Sequence, residues 1–279
     1  MLRFVAGFLM FVWMLPLHAL ELEGQRTQGA LLKGRVPPGH EVSLNGESVG
    51  VTESGRFVVG FGRQADPKQE LVVVGPDGET ETHRIELAER DYDIQRVEGV
   101  PDRTVNPDKE ALKRIREEAR RVAEARRQTS RREAFLEGFI WPVEGRITGV
   151  YGSQRFYNGE PRQPHYGIDI AAEAGRTVVS PASGRVTFAD PDLYFSGGTL
   201  IIDHGYGVSS TMLHLSELHV AVGDEVEQGQ ALGEVGATGR ATGPHLDWRM
   251  NWRDRRVDPT TIAPSLQEGY TPGATGGAD

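Results

Sequence analysis

Five residues in the second half of the chain have the types and spacing of a metal-assisted hydrolase. "HYGID" places His165 and Asp169 four apart, "LHL" supplies His214, and "PHLD" places His245 and Asp247 two apart. On an extended strand, residues i and i+2 point to one face, so His245 and Asp247 converge while Leu246 and Trp248 point away. Gly167 and the β-rich surroundings argue against a helix for "HYGID". In extended backbone His165 and Asp169 again share a face. Imidazole and carboxylate both ligate zinc, and a catalytic zinc takes three protein ligands plus water. Such a site also needs a base for the water or a donor for a developing oxyanion, tasks that two spare histidines would suit. The alternative is a scatter of surface histidines and carboxylates.

These residues must be positioned by strands. Residues 138–263 are rich in glycine and β-branched residues with almost no helical period. "GRITGVYG", "TVVSPASGRVTFAD", "GTLIIDHG", "VSSTMLHL" and "QALGEVGATG" read as strands joined by glycine turns, as in a β-roll or barrel. Gly236, Gly239 and Gly243 are expected to form tight turns that present His245. Asp203 and His204, in "IIDHG", read as turn residues, and His219 reads as exposed. Residues 20–101 hold short β-like runs with hairpin signals at "LNGES" and "GPDGE", which predict a small β-sandwich. His40 and His83 lie there as lone surface or structural histidines. The fold class is therefore mainly β.

Between the two β regions lies a dense run of Arg and Glu, predicted to be a charged linker helix over residues 106–136. Asn106 suits the N-cap, Pro107 the first helical position and Asp108 the first turn. Leu112, Ile115, Ala119 and Val122 form a narrow apolar stripe that fades afterwards. A linker packing one edge on a neighbour is the plain expectation; a partner-binding or self-pairing helix is the sharper one.

The first residues, "MLRFVAGFLMFVWMLPLHAL", combine Arg3, an apolar run and Pro16, the pattern of a secretory signal peptide over residues 1–19 with cleavage after Ala19. The apolar run is short for a membrane span. The chain has no cysteine, hence no disulfide and no lipid on cysteine. Export without disulfides fits a bacterial periplasm or cell envelope better than a small stapled secreted scaffold. The net charge of −9, or −10 without Arg3, argues against nucleic-acid binding, which wants a basic surface. The end, residues 264–279, reads as a disordered tail.

The order of "HYGIDIAAEAGRTVVSPASGRV", "TMLHLSEL" and "VGDEVEQGQALGEVGATGRATGPHLDW" resembles the lysostaphin/LytM-type zinc metallopeptidases, which cut peptides of bacterial peptidoglycan. The likeness covers nearly half the chain. It implies a LytM-like domain, one zinc ion per chain, and His165 and Asp169 as zinc ligands from the His-x-x-x-Asp motif. It implies His214 and His245 as the catalytic pair around the water and the scissile carbonyl. The final His-x-His motif departs from the family: its second histidine, the third ligand, is Asp247. Arg155 and Asn158 in "RFYNGEPRQP" are candidates for a substrate groove or for capping a loop, and Tyr166 for lining the cleft.

A carboxylate can replace the imidazole as a ligand. With His, Asp and Asp the centre is formally neutral rather than +1, so bound water is less acidified. A harder donor set also admits manganese. The expectation is a working, retuned peptidoglycan endopeptidase. Two alternatives share the resemblance: a non-catalytic LytM-like regulator of a cell-wall amidase or other envelope protein, and a plain wall-binding module.

Overall fold

The computed structural model describes residues 20–97, 108–157 and 159–264. The readings of the signal peptide, of Asn106 and Pro107, and of the tail beyond residue 264 lie outside the described residues, as does Asn158. The side chain of Arg155 is likewise not described.

In the N-terminal region, period-two burial and tight turns give short strands. β1 (Glu21–Glu23), β2 (Leu31–Arg35) and β5 (Arg56–Gly60) form one three-stranded sheet. β3 (Glu41–Leu44), β4 (Glu47–Val49), β6 (Lys68–Val74) and β7 (Thr80–Glu86) form a four-stranded sheet. The predicted Asn-Gly turn joins β3 to β4, with Asn45 at φ 50° and Gly46 at φ 79°, the positive values a type I′ hairpin requires. β8 (Ile94–Val97) leaves this region and pairs in parallel with β10 (Gln154–Tyr157), which also pairs with β11 (Glu160–Pro161).

α1 runs Lys109–Arg127, shorter than residues 106–136. Its N-cap is Asp108, whose carboxylate accepts the Ala111 N–H at 2.8 Å; the first-turn reading of Asp108 is corrected by this bond. The anchoring contact also differs from the stripe read in the sequence. Leu112 and Ala119 are exposed. Val122 and buried Ala125 pack on Phe188, Leu193 and Ile201. Helical spacing alone does not say which face meets a partner when the apolar residues are this few.

The remaining strands build a ten-stranded sheet among the described residues. β9 (Arg146–Gly149), β12 (Ile168–Ala171), β13 (Thr177–Val179), β14 (Gly184–Leu193) and β15 (Gly197–Gly205) are followed by β16 (Val208–Leu218), β17 (Glu225–Val226), β18 (Ala231–Val235), β19 (His245–Trp252) and β20 (Arg255–Val257). The main path is β17-β14-β15-β16-β19-β12-β9, with β13, β18 and β20 attached beside it. Alternation along β19 puts Leu246, Trp248, Met250 and Trp252 into the main core and leaves Asp247, Arg249 and Asn251 on the opposite face.

The two β regions share one core, which runs from Leu31 to Val257. Gly60 lies directly against Trp252: a Cβ there would come within 2.5 Å of the Trp252 Cβ. Arg90 reaches across to Asp258 at 2.9 Å, a pair almost wholly removed from solvent. The N-terminal strands therefore brace the large sheet rather than hang from a tether. No described helix is long and apolar enough to cross a membrane.

Candidate metal and catalytic centre

Strand register assembles the centre. Asp169 on β12 lies opposite Asp247 on β19, and Ala171 opposite His245. Facing residues in an antiparallel pair share a face, so Asp169, Asp247 and His245 emerge side by side. His165 precedes β12 and is fixed by its backbone: its N–H donates to the Ser153 carbonyl and its carbonyl accepts from Gly152. One donor atom each from His165, Asp169 and Asp247 lies within 4.8 Å of the others.

Two glycines leave room for these carboxylates. A Cβ on Gly149 would stand 2.2 Å from Asp169 Oδ2, and one on Gly167 would stand 2.4 Å from Asp247 Oδ1. The glycine within "HYGID" is thus space for Asp247 as much as a strand feature.

His165 Nε2 and Asp169 Oδ1 are 3.2 Å apart. Both are buried, and neither forms an aligned hydrogen bond. Burial opposes a charged His165, but the Asp247 and Asp169 carboxylates outweigh it and hold the imidazole more basic than usual. Buried polar atoms without partners are uncommon, and a missing ion is one recognised cause. One imidazole and two carboxylates are donors that zinc or manganese accepts, so the residues present fit a divalent metal.

Asp247 has another partner. Arg249 Nε lies 2.9 Å from Oδ1 and 3.1 Å from Oδ2, and its Nη2 lies 2.5 Å from Oδ2. Burial alone would make Asp247 easier to protonate, yet the Arg249 guanidinium holds its carboxyl well below the usual range. The sequence reading missed Arg249. Its signal was available, since a charge two residues beyond Asp247 on a strand must share its face.

His214 and His245 stand with ring centroids 4.8 Å apart. His214 Nδ1 donates to the Thr238 carbonyl, and His245 Nδ1 donates to the Gly243 carbonyl, each at 2.8 Å. A carbonyl only accepts, so both rings carry a proton on Nδ1, and in the neutral ring the lone pair is on Nε2. His245 Nε2 faces Asp169 Oδ1 at 3.8 Å. Burial pushes the His214 imidazole down, keeping it neutral near pH 7. His214 also takes φ 67°, a left-handed conformation uncommon for a residue with a side chain. Strain of this sort, about 1–3 kcal/mol, tends to sit at functional sites.

Of the three glycines, Gly239 lies in a turn at φ 67° and Gly243 in a bend, whereas the turn reading of Gly236 is corrected: it forms an isolated antiparallel bridge to His245, whose N–H donates to its carbonyl at 3.2 Å. Tyr166 is backed by Tyr151 at 6.4 Å between ring centroids and by the Arg256 guanidinium at 6.0 Å. The turn reading of His204 is corrected. It lies in β15, wholly buried, bonding the Ser183 carbonyl and the Ser210 hydroxyl. Asp203 is buried in the same strand and accepts the Gly205 N–H, so it does shape the adjoining turn. His219 is exposed, as expected, between Glu217 and Glu234, each at 3.9 Å.

Comparison with known proteins gives the family. Residues 163–259 match Peptidase family M23. A solved Pseudomonas aeruginosa structure assigned to peptidase M23 is 30% identical, with a TM-score of 0.65, over 85% of this chain and 95% of that one. The Vibrio cholerae peptidoglycan DD-endopeptidase ShyB is 39% identical over 34% of this chain and 22% of its own length. The Escherichia coli murein hydrolase activator NlpD is 29% identical over 44% of this chain and 31% of its own. The chain thus spans less than a third of the length of these two curated relatives.

Proposed function

Because this chain belongs to peptidase family M23, we propose that it is an exported metal-dependent endopeptidase that hydrolyses peptide bonds in bacterial peptidoglycan. The observation that carries the reading is the convergence of His165, Asp169 and Asp247, with two donor atoms buried and unpartnered. These three residues would hold one zinc ion, or manganese in its place. When bound, the metal supplies Lewis acidity toward the scissile carbonyl and a more acidic water.

The chain's own groups supply the rest. His245 presents an Nε2 lone pair beside Asp169 and takes a proton from the attacking water. His214 also presents a lone pair, so it accepts a hydrogen bond from that water and orients it. It can donate to an oxyanion only after gaining a proton. The Thr238 and Gly243 carbonyls fix both tautomers. ShyB, named as a peptidoglycan endopeptidase, supports the substrate class. The apolar leader "FVAGFLMFVWML" supports export to a periplasm or envelope.

One observation favours a second reading. Arg249 clasps both oxygens of Asp247, and a guanidinium there competes with a dication for the same carboxylate. If the clasp wins, the domain is a non-catalytic regulator of a cell-wall amidase, a role consistent with its likeness to the activator NlpD. Metal analysis and digestion of purified sacculi separate the two. Near-stoichiometric metal and released muropeptides, both lost in Asp247→Ala, support the peptidase. Protein that refuses zinc and digests nothing, yet stimulates an amidase, overturns it.

A further inference from the structure

The same sheet face that carries the metal cluster carries a second feature. Ile201, Thr211 and Arg249 lie opposite one another across β15, β16 and β19, so they share the face of Asp247. α1 covers this face at Ile201 through Ala125. The next residue of the helix is Arg126, partly buried, whose Nε is buried without a partner. The Arg126 side chain donates no hydrogen bond and forms no ion pair among the described residues. Arg256 lies opposite Asn251, two residues beyond Arg249 on β19, so it shares this face, and the charges of both arginines bear on Arg126. Arg256 gives its Nη1 to Asn251 Oδ1 at 3.0 Å, and Arg249 is committed to Asp247. Thr211 Oγ1, beside Arg249, is also buried and unpartnered.

We infer that Arg126, Arg256 and Arg249 form a recess that binds a carboxylate of an acidic peptide, beside the metal cluster and walled by α1. Arginine does not discharge by losing its proton, so a buried guanidinium without a counter-charge must find an anion or weaken the fold. Arg126 and Arg256 are two such cations, and the carboxylate beside them, Asp247, is already held by Arg249. A planar carboxylate matches the guanidinium fork. The identity of the peptide, a peptidoglycan stem, rests on the reading above; the recess itself does not. Arg126 lies outside the segment that matches the family, so the binding group is supplied by the linker helix.

The test uses the full mature chain and two probes: a short peptide bearing free D-glutamate carboxylates, and the same peptide fully amidated. Calorimetry should show the acidic probe binding wild type about tenfold or more tightly than the amidated one, as loss of a charge-assisted bond predicts. Arg126→Met should lose that preference, and Arg126→Lys should keep part of it. Arg126→Met should also melt at or above wild type, because an unpaired cation has been removed; Arg126→Gln serves if it does not fold. A variant that binds the acidic probe like wild type, or a wild type blind to amidation, overturns the inference. Sacculus digestion by the same samples keeps the two readings apart. Digestion without charge preference sinks only the recess, and charge preference without digestion sinks only the peptidase.

Discussion

Arg249 stands two residues beyond Asp247 on one strand, and its guanidinium closes on both oxygens of that carboxylate, with Nη2 at 2.5 Å from Oδ2. The pair sits where the family pattern has a histidine ligand, so one carboxylate serves two possible cations.

The first prediction concerns that competition. Arg249→Gln leaves Asp247 buried and unpaired, which should cost the metal-free protein about 3–5 kcal/mol. Saturating zinc should restore much of the loss by binding the freed carboxylate. Thermal melts in chelator and in zinc read both effects. A variant that melts like wild type in chelator would show that the pair contributes nothing.

His214→Ala and His245→Ala should each lower sacculus digestion by about 10²–10⁴-fold, the usual worth of a positioned acid–base group. Bound metal should remain near the wild-type level, since neither residue belongs to the three-donor cluster. Loss of the metal in either variant would move that histidine into the ligand set.

Gly167→Ala places a Cβ against Asp247 Oδ1, whereas a Cβ on Gly243 meets nothing within 4 Å. The first should cost about 1–3 kcal/mol as an overpacked site and weaken metal binding. Gly243→Ala should do neither. Equal behaviour of the two would show that Asp247 moves aside freely.

His204 sets a pH dependence. Burial lowers its pKa in the folded chain. The unfolded chain, near the ordinary value of about 6.5, therefore binds a proton more readily as the pH falls. Its contribution is complete above that value and declines as the pH drops toward the folded one. Urea midpoints of wild type should fall between about pH 7.5 and pH 5 through this group. His204→Gln should start lower and vary less; an equally steep profile would assign the sensitivity elsewhere.

Arg90→Ala removes the partner of Asp258 across the junction of the two β regions. A cost of about 3–5 kcal/mol is expected, since the buried carboxylate loses its counter-charge and keeps only the Thr260 N–H and hydroxyl as donors. Denaturant unfolding should remain one transition, because both regions share a core. Two separated transitions would show that they fold independently.

Much of the centre was legible in the residues. Period-two geometry puts His245 and Asp247 on one face of their strand, whereas the register that sets them beside Asp169 is not given by the spacing. The strand-rich character and the Asn45–Gly46 turn were legible for the same local reason. α1 was legible as a helix but not in its anchoring. With few apolar residues on it, Ala125 became the contact only because Phe188 and Ile201 were there to receive it.

The sequence by itself determined the chemistry available: the donor types, their order, the exchange of histidine for Asp247, and the family to which they belong. Tertiary structure decided what each group faces. His204 became a core residue because sheet packing left it no solvent. Arg126 became an unpaired cation because the helix settled on the face that already held Arg249. Spacing is a property of the backbone over a few residues. Burial and charge pairing are sums over neighbours that the chain brings together only when the sheet is complete.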